Sequence, residues 1–167
     1  MSHLVEPHGG EGLKPLLAPE TERAAEIARA KNLKQVPMSS KETSDVLMLS
    51  MGAYTPLDGF MNRADWQGVC ADMKLASGLF WPIPVTMTAD QALADSIGDG
   101  EEVALVDEDG NIMAIMTVTE KFAMSDEDNA FEAQHVYTTT DVEHPGVQKV
   151  NEQKAVALSG PVLVIDE

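Results

Sequence analysis

Four histidines, one cysteine and three arginines are the side chains best suited to chemistry in this 167-residue sequence, and their spacing gives them little to do. The histidines are His3, His8, His135 and His144. Glu132 and His135 stand three apart, the offset at which one helix presents both to a metal in carboxylate-bridged sites. Such a site needs a second pair of this kind and further carboxylates, so a helix-surface histidine beside a glutamate is the favoured reading. Asp107-Glu108-Asp109-Gly110-Asn111 opens like a calcium loop. Its glycine falls out of place and Val118 stands where the bidentate glutamate belongs, so the stretch reads as a hairpin turn. The lone Cys70 can form neither an internal disulfide nor a multi-cysteine metal site. Beside Val69 it reads as a small buried apolar residue rather than a nucleophile.

Phosphate chemistry has equally little support. His8-Gly9-Gly10 could present backbone N–H groups to an anion. No strand precedes it and no Lys-Ser/Thr follows, so an N-terminal arm lying on the body of the protein is preferred for residues 1–12. Arg23 and Arg29 fall on the first expected helix and Arg63 at the start of the third, so no arginine cluster converges on a polyanion. Gly-x-Ser-x-Gly, His-Glu-x-x-His and Cys-x-x-Cys do not occur. Catalytic, cofactor-binding and metal-binding residues: none is assigned from the side chains.

Charge narrows the partners. Asp+Glu number 28 against 11 Lys+Arg, a formal net charge of −17. That surface repels nucleic acid and anionic membrane, and its plain meaning is solubility or a saline habitat. No apolar run is long enough to cross a bilayer and no basic-headed signal peptide is seen. A reducing cytoplasm is the expected location. A hydrophobic content of 44% with only 5% aromatics and 10 methionines predicts one domain over 1–167, its core aliphatic with Met filling gaps.

The elements that would position these residues are organised around residues 52–61, Gly-Ala-Tyr-Thr-Pro-Leu-Asp-Gly-Phe-Met. Gly52 is placed to end a helix in the left-handed conformation, and Pro56 pushes Thr55 towards an extended one. Leu57-Asp58-Gly59 can turn, with Gly59 supplying positive φ where the turn needs it. So apolar a loop reads as a buried helix-to-helix corner; a ligand-contacting loop is the alternative. Before it come a helix over 19–31, with Ala24, Ile27, Ala28 and Lys31 on one face, and an extended segment over 33–38. A helix capped by Ser39 or Ser40 then runs to Ser50. After the corner, Asn62 caps a helix over 62–73, with Asp65 at capping-box spacing.

From Ser77-Gly78 onwards the residues turn β-branched and aromatic. An extended entry with two prolines leads to a strand over 85–88, and a polar turn to another over 103–106. Asp109-Gly110 then predicts a hairpin into a strand over 112–119, apolar on both faces as in a barrel or a covered sheet. A helix over 125–135 is capped by Ser125 and Asp128. A loop over 138–146 follows, then two β segments, 155–158 and 161–165, hinged at Ser159-Gly160. No internal repeat is present, and the chain stops at Ile165-Asp166-Glu167 directly after an apolar strand, as a cut chain would.

Several ordered strings resemble one family. They are Pro7-His8-Gly9-Gly10, the whole of 52–61, Trp81-Pro82-Ile83-Pro84-Val85, Val136-Tyr137-Thr138-Thr139-Thr140-Asp141, His144-Pro145-Gly146-Val147 and Ser159-Gly160-Pro161-Val162. Together they resemble the N-terminal domain of ATP sulfurylase (sulfate adenylyltransferase). The fourth and last strings are closer to the form in sulfur-oxidising and sulfate-reducing bacteria. Glu11-Gly12 before Leu13 is an insertion that bears only on the path of the arm.

The resemblance implies an α+β fold, a PUA-like β-barrel domain with helices inserted mainly in the N-terminal half. It implies a parent reaction in which sulfate attacks the α-phosphorus of ATP, releasing pyrophosphate, in sulfur assimilation or dissimilation, with MgATP as substrate. The cations for that step belong to a nucleotidyltransferase domain carrying Gln-x-Arg-Asn-Pro and a nearby His-x-x-His, and neither string is in this sequence. The implied role is therefore a structural domain, not catalytic alone and without its own cofactor. Its partner is the catalytic domain, a homo-oligomer is left open, and nucleic acid and membrane are not expected. Tyr54, Leu57, Phe60 and Trp81 are the candidates for buried packing or interface. The alternative is a free-standing non-catalytic binding module on the same scaffold.

Overall fold

Ser39, Asn62 and Ser125 each start a helix by accepting the backbone N–H three residues on. The computed structural model describes residues 4–10 and 12–166; His3 and Glu11 lie outside the described residues. The helices are α1 Glu20–Ala30, α2 Ser40–Ser50, α3 Arg63–Asp72, α4 Gln91–Ser96, α5 Asp126–Val136 and α6 Pro145–Asn151. The strands are β1 Lys34–Pro37, β2 Gly59–Phe60, β3 Met87–Ala89, β4 Glu102–Val106, β5 Ile112–Thr117, β6 Glu120–Ala123 and β7 Val156–Val164. At α2 and α5 the cap is reciprocal, Glu42 and Asp128 reaching back to the cap N–H. At α3 it runs one way, because the Asp65 carboxylate accepts from Ala76 N at 2.8 Å instead.

The chain divides into two compact units. The first holds the chain up to Gly59, Glu102–Thr117, and Gly160 onwards. In it β1 pairs in parallel with β4, Val36 opposite Leu105, and β4 pairs antiparallel with β5. The hairpin between them is closed by the Asp107 carboxylate, which accepts from the backbone of Asp109 (3.0 Å) and Asn111 (2.8 Å). β5 pairs with the later part of β7, Ile115 opposite Leu163. Residues 113–116 are all buried, as the two apolar faces require. Ala18, Ala30, Ala104, Ile115 and Ile165 form the core here, with Ile27, Leu33, Ile112 and Leu163 against it. The inward face of α1 is therefore Ile27 and Ala30, with Ala24, Ala28 and Lys31 exposed. Arg23 explains the rotation: it lies half-buried, its Nε donating to the Ala18 carbonyl at 2.9 Å.

The second unit holds Phe60–Glu101 and Val118–Ser159. The early part of β7 runs between β3 and β6, Leu158 standing opposite both Met87 and Lys121. Trp66, Cys70, Met124 and Ala157 are buried together, with Phe122, Phe131 and Val136 packed on them. Ala133, Val147 and Val150 form a second cluster that joins α5 to α6.

The fold is mixed α+β, as expected, with α1–α3 in the first half of the chain. Four features differ from the sequence expectation. The turn before β4 contains α4, a helix too short to show a 3.6 period and without a side-chain cap bond from Asp90. The strand expected over 112–119 stops at Thr117, and β6 follows it. Between the two, Val118 N donates to Glu101 O and Thr119 N to Ser159 O. His144-Pro145-Gly146 does not close a loop but starts α6, His144 Nδ1 accepting from Gly146 N at 3.1 Å. The two final β segments are one continuous strand, whose partners change where a hinge at Ser159-Gly160 was expected.

Candidate functional site

The apolar corner of residues 52–59 is built from backbone closure. Past the end of α2, Gly52 takes φ 77°. A Cβ there would stand 2.9 Å from Pro15 N and 3.1 Å from Leu13 Cγ, so glycine serves both the helix ending and the close approach of the arm. Thr55 Oγ1 donates to Gly52 O at 2.6 Å and accepts from Lys14 N at 3.0 Å. The Thr55–Pro56 peptide is cis. Lys14 pairs with Asp58. The turn does not need positive φ at Gly59, which lies in β2. A Cβ on it would overlap the Gly160 carbonyl oxygen and sit 2.9 Å from Val162 N, so this glycine is required for space.

Tyr54 is half-buried, its hydroxyl donating to Asp45 Oδ1 at 3.0 Å while Lys41 Nζ holds Oδ2 at 2.9 Å. Burial first, then the Asp45 charge, pushes the Tyr54 phenol up to about 12. Leu57 is buried, and its N–H donates to Tyr54 O at 2.8 Å. Phe60 and Trp81 are buried in the second unit, Phe60 O accepting from Ser159 Oγ at 3.2 Å and Trp81 N donating to Met73 O at 2.8 Å. The Lys41 ammonium offsets the Asp45 carboxylate, and the neutral Tyr54 phenol donates to it. They hold a turn.

A cleft of about 410 Å³ in the second unit is lined by Arg63, Trp66, Gln67, Ser125, Glu127, Asp128 and Phe131. Its guanidinium is held by two hydrogen bonds and an aromatic face. Arg63 Nη2 donates to Asp128 Oδ1 at 2.6 Å and Nη1 to Ala123 O at 3.3 Å, with Cζ 4.6 Å from the Trp66 ring centre. The Arg63 hydrogen bond is the main cause holding the Asp128 carboxyl below its usual range.

Behind the cleft, Trp66 Nε1 donates to Glu132 Oε2 at 2.7 Å, and Gln153 Nε2 donates to Glu132 Oε1 at 3.1 Å. Glu132 is thus a buried acceptor, whereas His135 is exposed with its ring 4.1 Å from that of Phe131. The helix-surface His135 beside a glutamate is as the sequence suggests, but the Trp66–Glu132–Gln153 group is not evident in it. A buried Trp demands an acceptor for its N–H, which signals that a partner exists without saying which. Cys70 is buried, and burial, then the Glu132 charge, pushes its thiol well up, away from nucleophile chemistry.

Several other cations are likewise tied to the chain. Arg23 binds the Ala18 carbonyl and Arg29 pairs with Glu26 and Glu102. Lys121 Nζ donates to the carbonyls of Ala94 (3.0 Å) and Ile97 (2.6 Å), at the end of α4. Lys149 pairs with Glu152. Among the described residues, no group of three or more His, Cys, Asp or Glu could hold a metal ion, and no helix is long and apolar enough to cross a membrane.

Residues 5–167 match the model of the PUA-like domain family. The chain belongs to that family. This PUA-like domain is 55% identical over 170 residues to the sulfate adenylyltransferase of Syntrophobacter fumaroxidans, covering 100% of the chain and 41% of the relative. It is 53% identical to that of Thiobacillus denitrificans, covering 99% and 40%. A hexameric APS kinase from Thiobacillus denitrificans shares the fold with a TM-score of 0.70 at 32% identity, over 98% of this chain and 27% of the other. The chain spans about 40% of the length of the curated relatives it matches.

Proposed function

We propose that this chain is the N-terminal structural domain of a sulfate adenylyltransferase, packed against a nucleotidyltransferase domain that performs the chemistry. The observation that carries this is the full-length match at 53–55% identity to proteins of which the chain fills about 40%. In the parent reaction sulfate attacks the α-phosphorus of MgATP and pyrophosphate leaves. Two anions must be brought together, a step that needs cations and N–H donors free to meet them. The arginines of this chain already have partners of their own, which supports a role in shape rather than catalysis.

The domain keeps no cofactor or metal of its own, works in the cytoplasm and binds neither nucleic acid nor membrane. Subunit contacts are part of its role, a point supported by the hexameric assembly named for the structural neighbour. The purified chain, given MgATP and sulfate, is expected to release no pyrophosphate above the blank. Joined to the remaining part of the Syntrophobacter fumaroxidans enzyme, it is expected to support release. Turnover by the chain alone overturns the proposal.

A further inference from the structure

We propose that Asp109 is a site of spontaneous isomerisation, where an aspartyl linkage becomes an isoaspartyl one and offers its displaced carboxylate to a repair methyltransferase. This holds whatever the parent enzyme does. In an Asp-Gly pair the glycine amide nitrogen attacks the aspartyl Cγ. The new N–Cγ bond closes a succinimide ring, the nitrogen gives up its proton, and a side-chain oxygen leaves as water. Water then opens the ring. Opening at the main-chain carbonyl leaves the peptide running through Cγ, with Cβ added to the main chain and the α-carboxylate free beside it. Glycine favours closure because it has no Cβ to obstruct the approach.

Asp-Gly occurs three times, at Asp58-Gly59, Asp99-Gly100 and Asp109-Gly110, so the fold decides among pairs of one chemistry. Asp58 pairs with Lys14, and its carbonyl accepts from Val162 N at 2.9 Å. Gly59 is buried in β2 against the Gly160 carbonyl, which stops the peptide from swinging towards the side chain. Asp99 and Gly100 are exposed, but Gly100 N donates to Val118 O at 2.8 Å, outside its own turn. The same turn is closed by Gly98 N donating to Glu101 Oε2 at 2.7 Å. Asp109 and Gly110 are exposed too, and a Cβ on Gly110 would meet nothing within 4 Å. Gly110 N donates only as far as Asp107 O, at 3.1 Å. Asp109 N and Asn111 N both donate to Asp107 Oδ1. These bonds lie inside the tip, which opens without breaking a pairing of β4 with β5, and local opening of that kind is cheap. The added main-chain atom falls between Asp109 N and Asn111 N, so isomerisation disrupts the closure that one carboxylate gives the turn.

Ageing the purified chain at neutral pH tests the assignment. Isoaspartate is counted by methyl transfer from S-adenosylmethionine with an isoaspartyl methyltransferase, and placed by electron-transfer fragmentation of the digested chain. The same chain in concentrated urea gives the rates without a fold. There the three pairs are expected to isomerise at comparable rates. In the folded chain Asp109 is expected to keep close to its urea rate, while Asp99 slows several-fold and Asp58 roughly tenfold or more. Asp109 slowed as much as Asp58, or isoaspartate gathering first at Asp58 or Asp99, overturns the inference. Asp109→Glu keeps the charge and the backbone donor but makes ring closure unfavourable. It is expected to remove most of the methyl acceptance of the aged folded chain, and undiminished acceptance overturns the inference as well.

Discussion

The corner at residues 52–59 in the first unit and the Trp66 core of the second both close the chain on itself, one with backbone and the other with side chains. The corner relies on missing atoms. Gly59 lets the Gly160 carbonyl approach, and Gly52 admits the arm at Pro15. The Trp66 core relies on groups that must be present. One buried carboxylate serves an indole N–H and an amide drawn from residues 66 and 21 positions away in sequence. The first arrangement is local and can be read from a short string. The second is long-range, and no string announces it.

Gly59→Ala gives the largest expected effect on that contrast. The new methyl overlaps backbone rather than a flexible side chain, and overpacking of this kind costs about 3 kcal/mol. The urea midpoint reads it; a loss below about 1 kcal/mol would show that the two backbones separate easily. Glu132→Ala comes next, leaving the Trp66 N–H and the Gln153 amide without their acceptor, at about 2 kcal/mol. Glu132→Gln, which keeps an acceptor for the indole, should recover most of that loss, and equal losses in both variants would mean that the charge itself matters.

Acid titration gives the smallest effect. The Asp128 carboxyl is held below its unfolded value chiefly by the Arg63 hydrogen bond. Its contribution to stability is therefore present above the unfolded pKa of about 3.9 and lost as pH falls through the folded one. Wild type should lose more stability between about pH 5 and pH 2 than Asp128→Asn does. Parallel curves would remove the pair from the account.

Legibility followed the same division. Ser39, Asn62 and Ser125 were readable as caps because a cap and its N–H lie three residues apart. The hairpin was readable from the adjacent pair Asp109-Gly110, which is equally local. α4 and α6, at six and seven residues, are too short for periodicity to register. The face of α1 was misread by about one residue because Arg23, a cation, turns inward to a carbonyl. The need for glycine at residue 59 is not legible in its neighbours, since only the tertiary fold brings Gly160 against it. The role of Glu132 was not legible because its partners come from α3 and from the segment after α6. The family relation was legible in residues 52–61, where glycines, a proline and aromatics are fixed by one tight corner.

The central claim is that this chain shapes an enzyme whose anionic reactants are held elsewhere, and equilibrium binding tests it most directly. Isothermal titration of the purified chain with MgATP, and separately with sulfate, is expected to show no saturable heat up to about 1 mM, a limit corresponding to about 4 kcal/mol of binding free energy. Saturable binding below that concentration, abolished by replacing Arg63 with alanine, would contradict the account.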